Sequence, residues 1–116
     1  PHRWGALKEP MPAAVYAGAP YLRQLPSGQV LLSYQESATG DLKKARMVVC
    51  IGDRDAKNFG QPTYPFPADA LPQLWNSLFV KDERTVTAVS DAVIGGVHGI
   101  WAVDGRIRPE ATSGNK

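Results

Sequence analysis

Apolar residues along the chain fall into short runs and alternations broken by turn-forming residues, a signature of strands rather than helices. Residues 21–25, Tyr-Leu-Arg-Gln-Leu, read as a strand. Pro26-Ser27-Gly28 reads as a tight turn, with proline fixing φ and glycine supplying a permissive position. Residues 29–35 form the return strand, 37–41 a polar loop, and the β-branched-rich run 46–51 a third strand. Residues 52–58 are polar and turn-prone. Residues 59–67 hold three prolines, so any strand there is short and lies at a sheet edge. The order then returns: strand 75–80, turn 81–84, return strand 85–89, a Gly95-Gly96 loop and a third strand over 98–103. One helical turn over 67–73 is the only helix the pattern allows, and the small, polar tail 109–116 is expected to fray.

The recurrence extends to particular residues. Trp4-Gly5, Pro10-Met11-Pro12-Ala13 and the turn at Ser27 come back as Phe59-Gly60, Pro65-Phe66-Pro67-Ala68 and Asp82, at a spacing of 55 (4→59, 10→65, 12→67, 13→68, 27→82). Gly40 and Gly95 match in the next loop, and an acid closes the second strand in both copies, Glu36 and Asp91. A period near fifty is the size of one four-stranded propeller blade. The expectation is therefore an all-β antiparallel meander of two consecutive blades: an outer strand plus first blade over 1–58, an outer strand plus second blade over 59–108, and a flexible tail over 109–116. Two unrelated hairpins with similar turn needs, or a free-standing small β-domain, are the alternatives.

Composition narrows the partners. At 116 residues the chain is one domain at most. Thirteen Lys and Arg against eleven Asp and Glu give a net charge of +2, with no basic cluster beyond Lys43-Lys44, which argues against a nucleic-acid partner. No apolar run approaches the length that spans a bilayer. The chain begins at Pro1 without a methionine, so it reads as a fragment or processed product. The single Cys50 lies in an apolar run and reads as a buried, inert thiol. His2 and His98 are far apart with no ligand spacing, so no metal site and no cofactor are expected.

Two segments resemble a known family. The stretch over 18–34, with Leu22, Leu25-Pro26-Ser27-Gly28 and Leu32-Ser33-Tyr34, resembles an inner hairpin of the sialidase (neuraminidase) superfamily. Asp55-Ala56-Lys57-Asn58-Phe59-Gly60-Gln61-Pro62 resembles a worn Asp-box (BNR repeat), with Phe59 for its tryptophan, Asn58 for its threonine and Ala56 for its glycine; the aspartate position falls on Arg54, between Asp53 and Asp55. Trp4 would end the same box in the preceding blade. The resemblance covers residues 4–107 and implies a six-bladed propeller, secreted or periplasmic, in which other blades are the missing partners. It implies an exo-glycoside hydrolase releasing a terminal sugar, with sialic acid favoured, three arginines holding the carboxylate, a Tyr–Glu nucleophile pair and an aspartate acid/base. An exo-arabinanase-like hydrolase and a non-catalytic glycan- or protein-binding propeller are the alternatives. The Arg-Ile-Pro motif of the first sialidase blade is absent, and this chain alone is expected to be inactive.

Blade topology gathers the start of the inner strand, the end of the second and the start of the third at one face. Tyr16, Tyr21 and Glu36 are the catalytic candidates there, since the nucleophile position aligned on Leu22 falls on Ala19 and either tyrosine flanks it. Trp75, Asn76, Asp91 and His98 are the substrate-binding candidates, an aromatic and hydrogen-bonding set of the kind that a sugar site needs.

Overall fold

The computed structural model describes residues 3, 5, 6 and 16–108. Trp4, His2, the prolines at 10 and 12, and the tail over 109–116 lie outside the described residues. The described chain is all-β: β1 (Tyr16–Gln24), β2 (Val30–Ser37), β3 (Arg46–Gly52), β4 (Ser77–Val80), β5 (Thr85–Ile94) and β6 (Val97–Arg106). The first three form one antiparallel sheet in the order β1-β2-β3, and the last three a second in the order β4-β5-β6.

Local sequence explains the hairpins. Leu25 and Gly28 close the first turn, with Gly28 N–H on the Leu25 carbonyl at 2.8 Å and Gly28 at φ 97°. Asp82 closes the second, its carboxylate accepting from the N–H groups of Arg84 and Thr85, both at 2.8 Å. The helical turn expected over 67–73 reduces to one hydrogen-bonded turn, Ala70 N–H to Pro67 O at 3.1 Å, because Pro72 lacks the amide donor needed to continue it. Among the described residues the one helical element is a single 3₁₀ turn, Leu42–Lys44, just after the expected polar loop, where the Asp41 carboxylate accepts from Lys43 N–H at 2.9 Å.

The proline-rich segment behaves as an edge. Phe59 bridges Gly52, and Thr63 exchanges both backbone hydrogen bonds with Val49, at 2.8 and 2.9 Å. Residues 59–63 thus form a short fourth row on β3, limited in length by the neighbouring prolines.

The two sheets pack face to face. Leu31, Met47 and Val49 meet Leu78, Val86 and Ala88, with Leu25, Phe66 and Ile107 closing the same core. Each fully buried leucine or valine contributes about 1.5–3 kcal/mol against exposure. A second cluster, Tyr34, Val48 and Cys50 with Leu32 and Phe59, lies on the other face of the first sheet.

The turn registers set the repeat. Gln24 pairs with Val30 and Val80 with Val86, so 24→80 and 30→86 are equivalent, 56 apart rather than the 55 of the sequence alignment. On this register Tyr21 corresponds to Ser77, and Glu36 to Ala92 rather than Asp91. Equivalent residues then face opposite ways relative to the shared core. Leu31 lies in it, while its counterpart Thr87 points outward and bonds Asp104 at 2.6 Å; Ala88 lies in it, while its counterpart Leu32 packs on the far side of the first sheet. A two-fold sandwich would bring equivalent residues together in the core. The sheets are instead stacked head to tail, each presenting the same face forward.

Candidate functional site

Antiparallel registry collects the candidate residues at one end. Tyr16 pairs with Ser37 and Glu36 with Arg46 at one end of the first sheet. Asp91 opposite Ile100, and His98 opposite Val93, occupy the corresponding end of the second. Gln73, wholly buried, ties these ends together: its N–H donates to Ala45 O at 2.8 Å, its Oε1 accepts from Met47 N–H at 2.9 Å, and its Nε2 donates to Pro67 O at 2.9 Å. The next residue completes the tie, as Leu74 O accepts from Asp91 N–H at 3.1 Å and Ser90 Oγ at 3.2 Å.

Trp75 projects from this tie. It precedes β4 rather than belonging to it, is 80% exposed, and sits at φ 57°. A left-handed backbone costs a non-glycine residue about 1–2 kcal/mol, and such strain recurs at ligand-contacting positions. Asn76 is fixed beside it, its Nδ2 donating to Ser90 Oγ at 2.7 Å and Gln73 O at 3.3 Å. Its Oδ1 is buried with no protein partner. Trp75, Asn76 and Asp91 are therefore brought into one neighbourhood through Leu74 and Ser90. Asp91 departs from its expected place at a strand end: β5 runs on to Ile94, and Asp91 sits within it on the face away from the first sheet. His98 is exposed near the start of β6.

The catalytic candidates are not brought together. Tyr16 accepts from Gln35 Nε2 at 3.2 Å, on the opposite face of the first sheet from Glu36. Tyr21 is part-buried against the shared core, and its hydroxyl accepts from Arg23 Nη1 at 3.0 Å, a packing role. Neither forms a Tyr–Glu pair with Glu36. Glu36 Oε2 accepts instead from the Tyr64 hydroxyl at 3.1 Å, and the Arg46 guanidinium stacks 4.0 Å from the centre of the Tyr64 ring while its Nη2 donates to Phe66 O at 3.1 Å. Burial first, then the hydrogen bond to Glu36, raises the Tyr64 phenol above its usual value. Sequence reasoning missed Tyr64 and Arg46. Arg46 opens the third strand and was open to the same topological argument; Tyr64 follows a proline-rich edge whose register no periodicity reveals.

The Asp-box-like loop is closed by side-chain chemistry. Asp53, one residue before the aligned aspartate position, accepts from Lys57 N–H at 2.9 Å and Asn58 Nδ2 at 2.9 Å. These bonds hold its carboxyl below the usual range. Ala56 takes φ 56° at the aligned glycine position. The Phe59 ring lies against Gly52, where a Cβ would come within 2.6 Å of it. The loop lies at the opposite end of the first sheet from Trp75, so it builds the scaffold.

Among the described residues no group of three or more His, Cys, Asp or Glu is placed to hold a metal ion. No described helix is long and apolar enough to cross a membrane. No family model, curated protein or solved structure matches this chain.

Proposed function

We propose that the chain forms two neighbouring blades of a sialidase-like propeller and recognises the terminal sugar of a glycan through Trp75. The observation that carries this reading is the pairing of 80% exposure with a left-handed backbone at Trp75. An indole held out in solvent at a conformational cost is suited to stacking on the apolar face of a sugar ring. Asn76 beside it is held by bonds to Ser90 Oγ and Gln73 O, which fixes the segment that carries the indole. The head-to-tail sheets and the Asp53 loop favour the blade reading and the family resemblance. Glycans of cell surfaces are the natural targets, in keeping with a secreted or periplasmic protein.

Binding to a panel of immobilised glycans tests this: the chain is expected to retain glycans by their terminal sugar, sialylated ones first, and Trp75→Ala to lose that retention at least tenfold. Retention unchanged in Trp75→Ala would exclude the site.

A second reading, hydrolysis, is favoured by the Tyr64–Glu36 hydrogen bond with Arg46 stacked on the ring. A carboxylate on a phenol is the arrangement of a tyrosine nucleophile with its base. Since the chain alone is expected to be inactive, turnover of a fluorogenic sialoside by a complete propeller carrying these residues, lost in Tyr64→Phe, would select this reading over binding alone.

A further inference from the structure

The register of β5 and β6 gathers a further set of groups beside Trp75. Asp91 pairs with Ile100 and Val93 with His98, so all four side chains share the face of the second sheet that points away from the first. His98 lies diagonally across the ladder from Asp91, a backbone separation of about 7–8 Å that an imidazole can bridge. On the other side of β5, Leu74 O accepts from Asp91 N–H at 3.1 Å, and the next residue is Trp75. Asp91 therefore lies between the Trp75 segment on one side and Ile100 with His98 on the other. The two flanking walls are apolar and open: Trp75 is 80% and Ile100 78% exposed.

The two ionisable groups between those walls are uncommitted. His98 is exposed and Asp91 half-buried, and among the described residues neither side chain has a hydrogen-bond or ion-pair partner. The other acid on this face is different: Asp104 takes Lys81 Nζ at 3.1 Å and the Thr87 hydroxyl at 2.6 Å. The remaining charged groups at this end are Asp69, next to the Ala70 whose carbonyl receives Val93 N–H at 3.5 Å, and Lys43 and Lys44 of the 3₁₀ turn that leads to Ala45, the acceptor of Gln73 N–H. All three are exposed on other elements. Histidine is the side chain whose ordinary change of charge falls between pH 5 and 8.

We propose that Asp91 and His98 make the Trp75 site acid-dependent: a carboxylated sugar is held between Trp75 and Ile100 when His98 is protonated, and released as the pH rises. An acidic sugar meets the Asp91 carboxylate as a like charge while His98 is neutral. The imidazolium supplies the compensating charge and a charge-assisted hydrogen bond to the sugar carboxylate, which stays ionised from pH 5 to 8. An uncharged sugar gains nothing from that protonation, since its binding is set by the apolar walls. The inference rests on the glycan reading above and adds the charge preference and regulation of the same site.

Titration of the ¹⁵N-labelled chain with sialyllactose at pH 5.5 and at pH 8, followed at the Trp75 indole N–H, tests it. Binding is expected to be about fivefold tighter at pH 5.5, the gain of one exposed contact between opposite charges. Sialyllactose carboxamide, the same sugar without the charge, is expected to bind equally at both. His98→Gln keeps a hydrogen-bonding side chain and is expected to bind sialyllactose equally weakly at both, while His98→Lys, charged throughout, is expected to bind it equally tightly at both. Asp91→Asn, which removes the like charge, is expected to bind more tightly at pH 8 than the unaltered chain. An affinity of the unaltered chain that ignores pH, a pH dependence that persists in His98→Gln, or one shared by the carboxamide overturns the proposal and leaves the glycan reading standing. A Trp75 resonance that sialyllactose moves at neither pH overturns both.

Discussion

Ala19 and Trp75 occupy the same place in the two sheets, five residues before Gln24 and Val80, and both adopt the left-handed conformation, at φ 52° and 57°. The backbone feature is therefore part of the repeat. In the first sheet it coincides with the shift of register between Gly18 and Tyr21 and carries only a methyl group; in the second it carries an indole. One scaffold position is thus plain in one unit and elaborated in the other.

Glycine at either place relieves the strain. Ala19→Gly is expected to stabilise the fold by about 1 kcal/mol, and Trp75→Gly by a similar amount. Chemical denaturation reads both. Trp75→Gly alone is expected to lose sugar recognition, so stability and binding move in opposite directions at that residue.

Gln73→Ala removes the acceptor of the buried Met47 N–H and the donor to Pro67 O. One buried donor and one carbonyl are left without partners, and the expected loss is about 2–4 kcal/mol. Because Gln73 also anchors the segment carrying Trp75, faster amide exchange is expected at residues 70–76.

Gly52→Ala places a methyl group in the Phe59 ring. Displacing that ring is expected to cost about 1–3 kcal/mol, seen as a lower denaturation midpoint with an unchanged slope.

The Asp53 carboxyl is held below its usual pKa by Lys57 N–H first and then Asn58. A depressed folded-state value gives stability that is present above the unfolded value, near 3.9, and lost as pH falls through the folded one. The melting temperature of the unaltered chain is expected to fall in that acid window more steeply than that of Asp53→Asn. Parallel profiles would remove Asp53 from the loop's closure.

Cys50 is buried, and burial raises its thiol pKa, keeping it protonated and unreactive. A disulfide reagent at pH 8 is expected to find no reactive thiol in the folded chain and one after denaturation.

Much of the fold was legible in the residues themselves. Turn chemistry at Pro26-Ser27-Gly28 and Gly95-Gly96, and β-branched runs such as 46–51, placed the hairpins and the third strands. The prolines over 59–67 identified a short edge. The register was less legible: the residue matches, from Trp4 and Phe59 to Gly40 and Gly95, align at 55, while the hairpins repeat at 56. Element ends were misjudged where hydrogen bonding outlasts the apolar pattern, as in β5, which carries Asp91 inside the strand. At the candidate site, Trp75 and Asn76 were singled out as the start of an expected strand over 75–80, whereas the strand begins at Ser77 and both residues precede it. The Glu36–Tyr64–Arg46 group was not singled out, because it depends on how a proline-bound edge folds back across a sheet face.

The role of Trp75 is tested most directly by its own indole N–H resonance. In a ¹⁵N-labelled chain titrated with sialyllactose, the cross-peak assigned by its disappearance in Trp75→Phe is expected to shift progressively and saturate, while that of the part-buried Trp101 stays in place. An unmoved Trp75 resonance across a titration that shifts other signals, or that shifts none at millimolar sugar, would contradict the account.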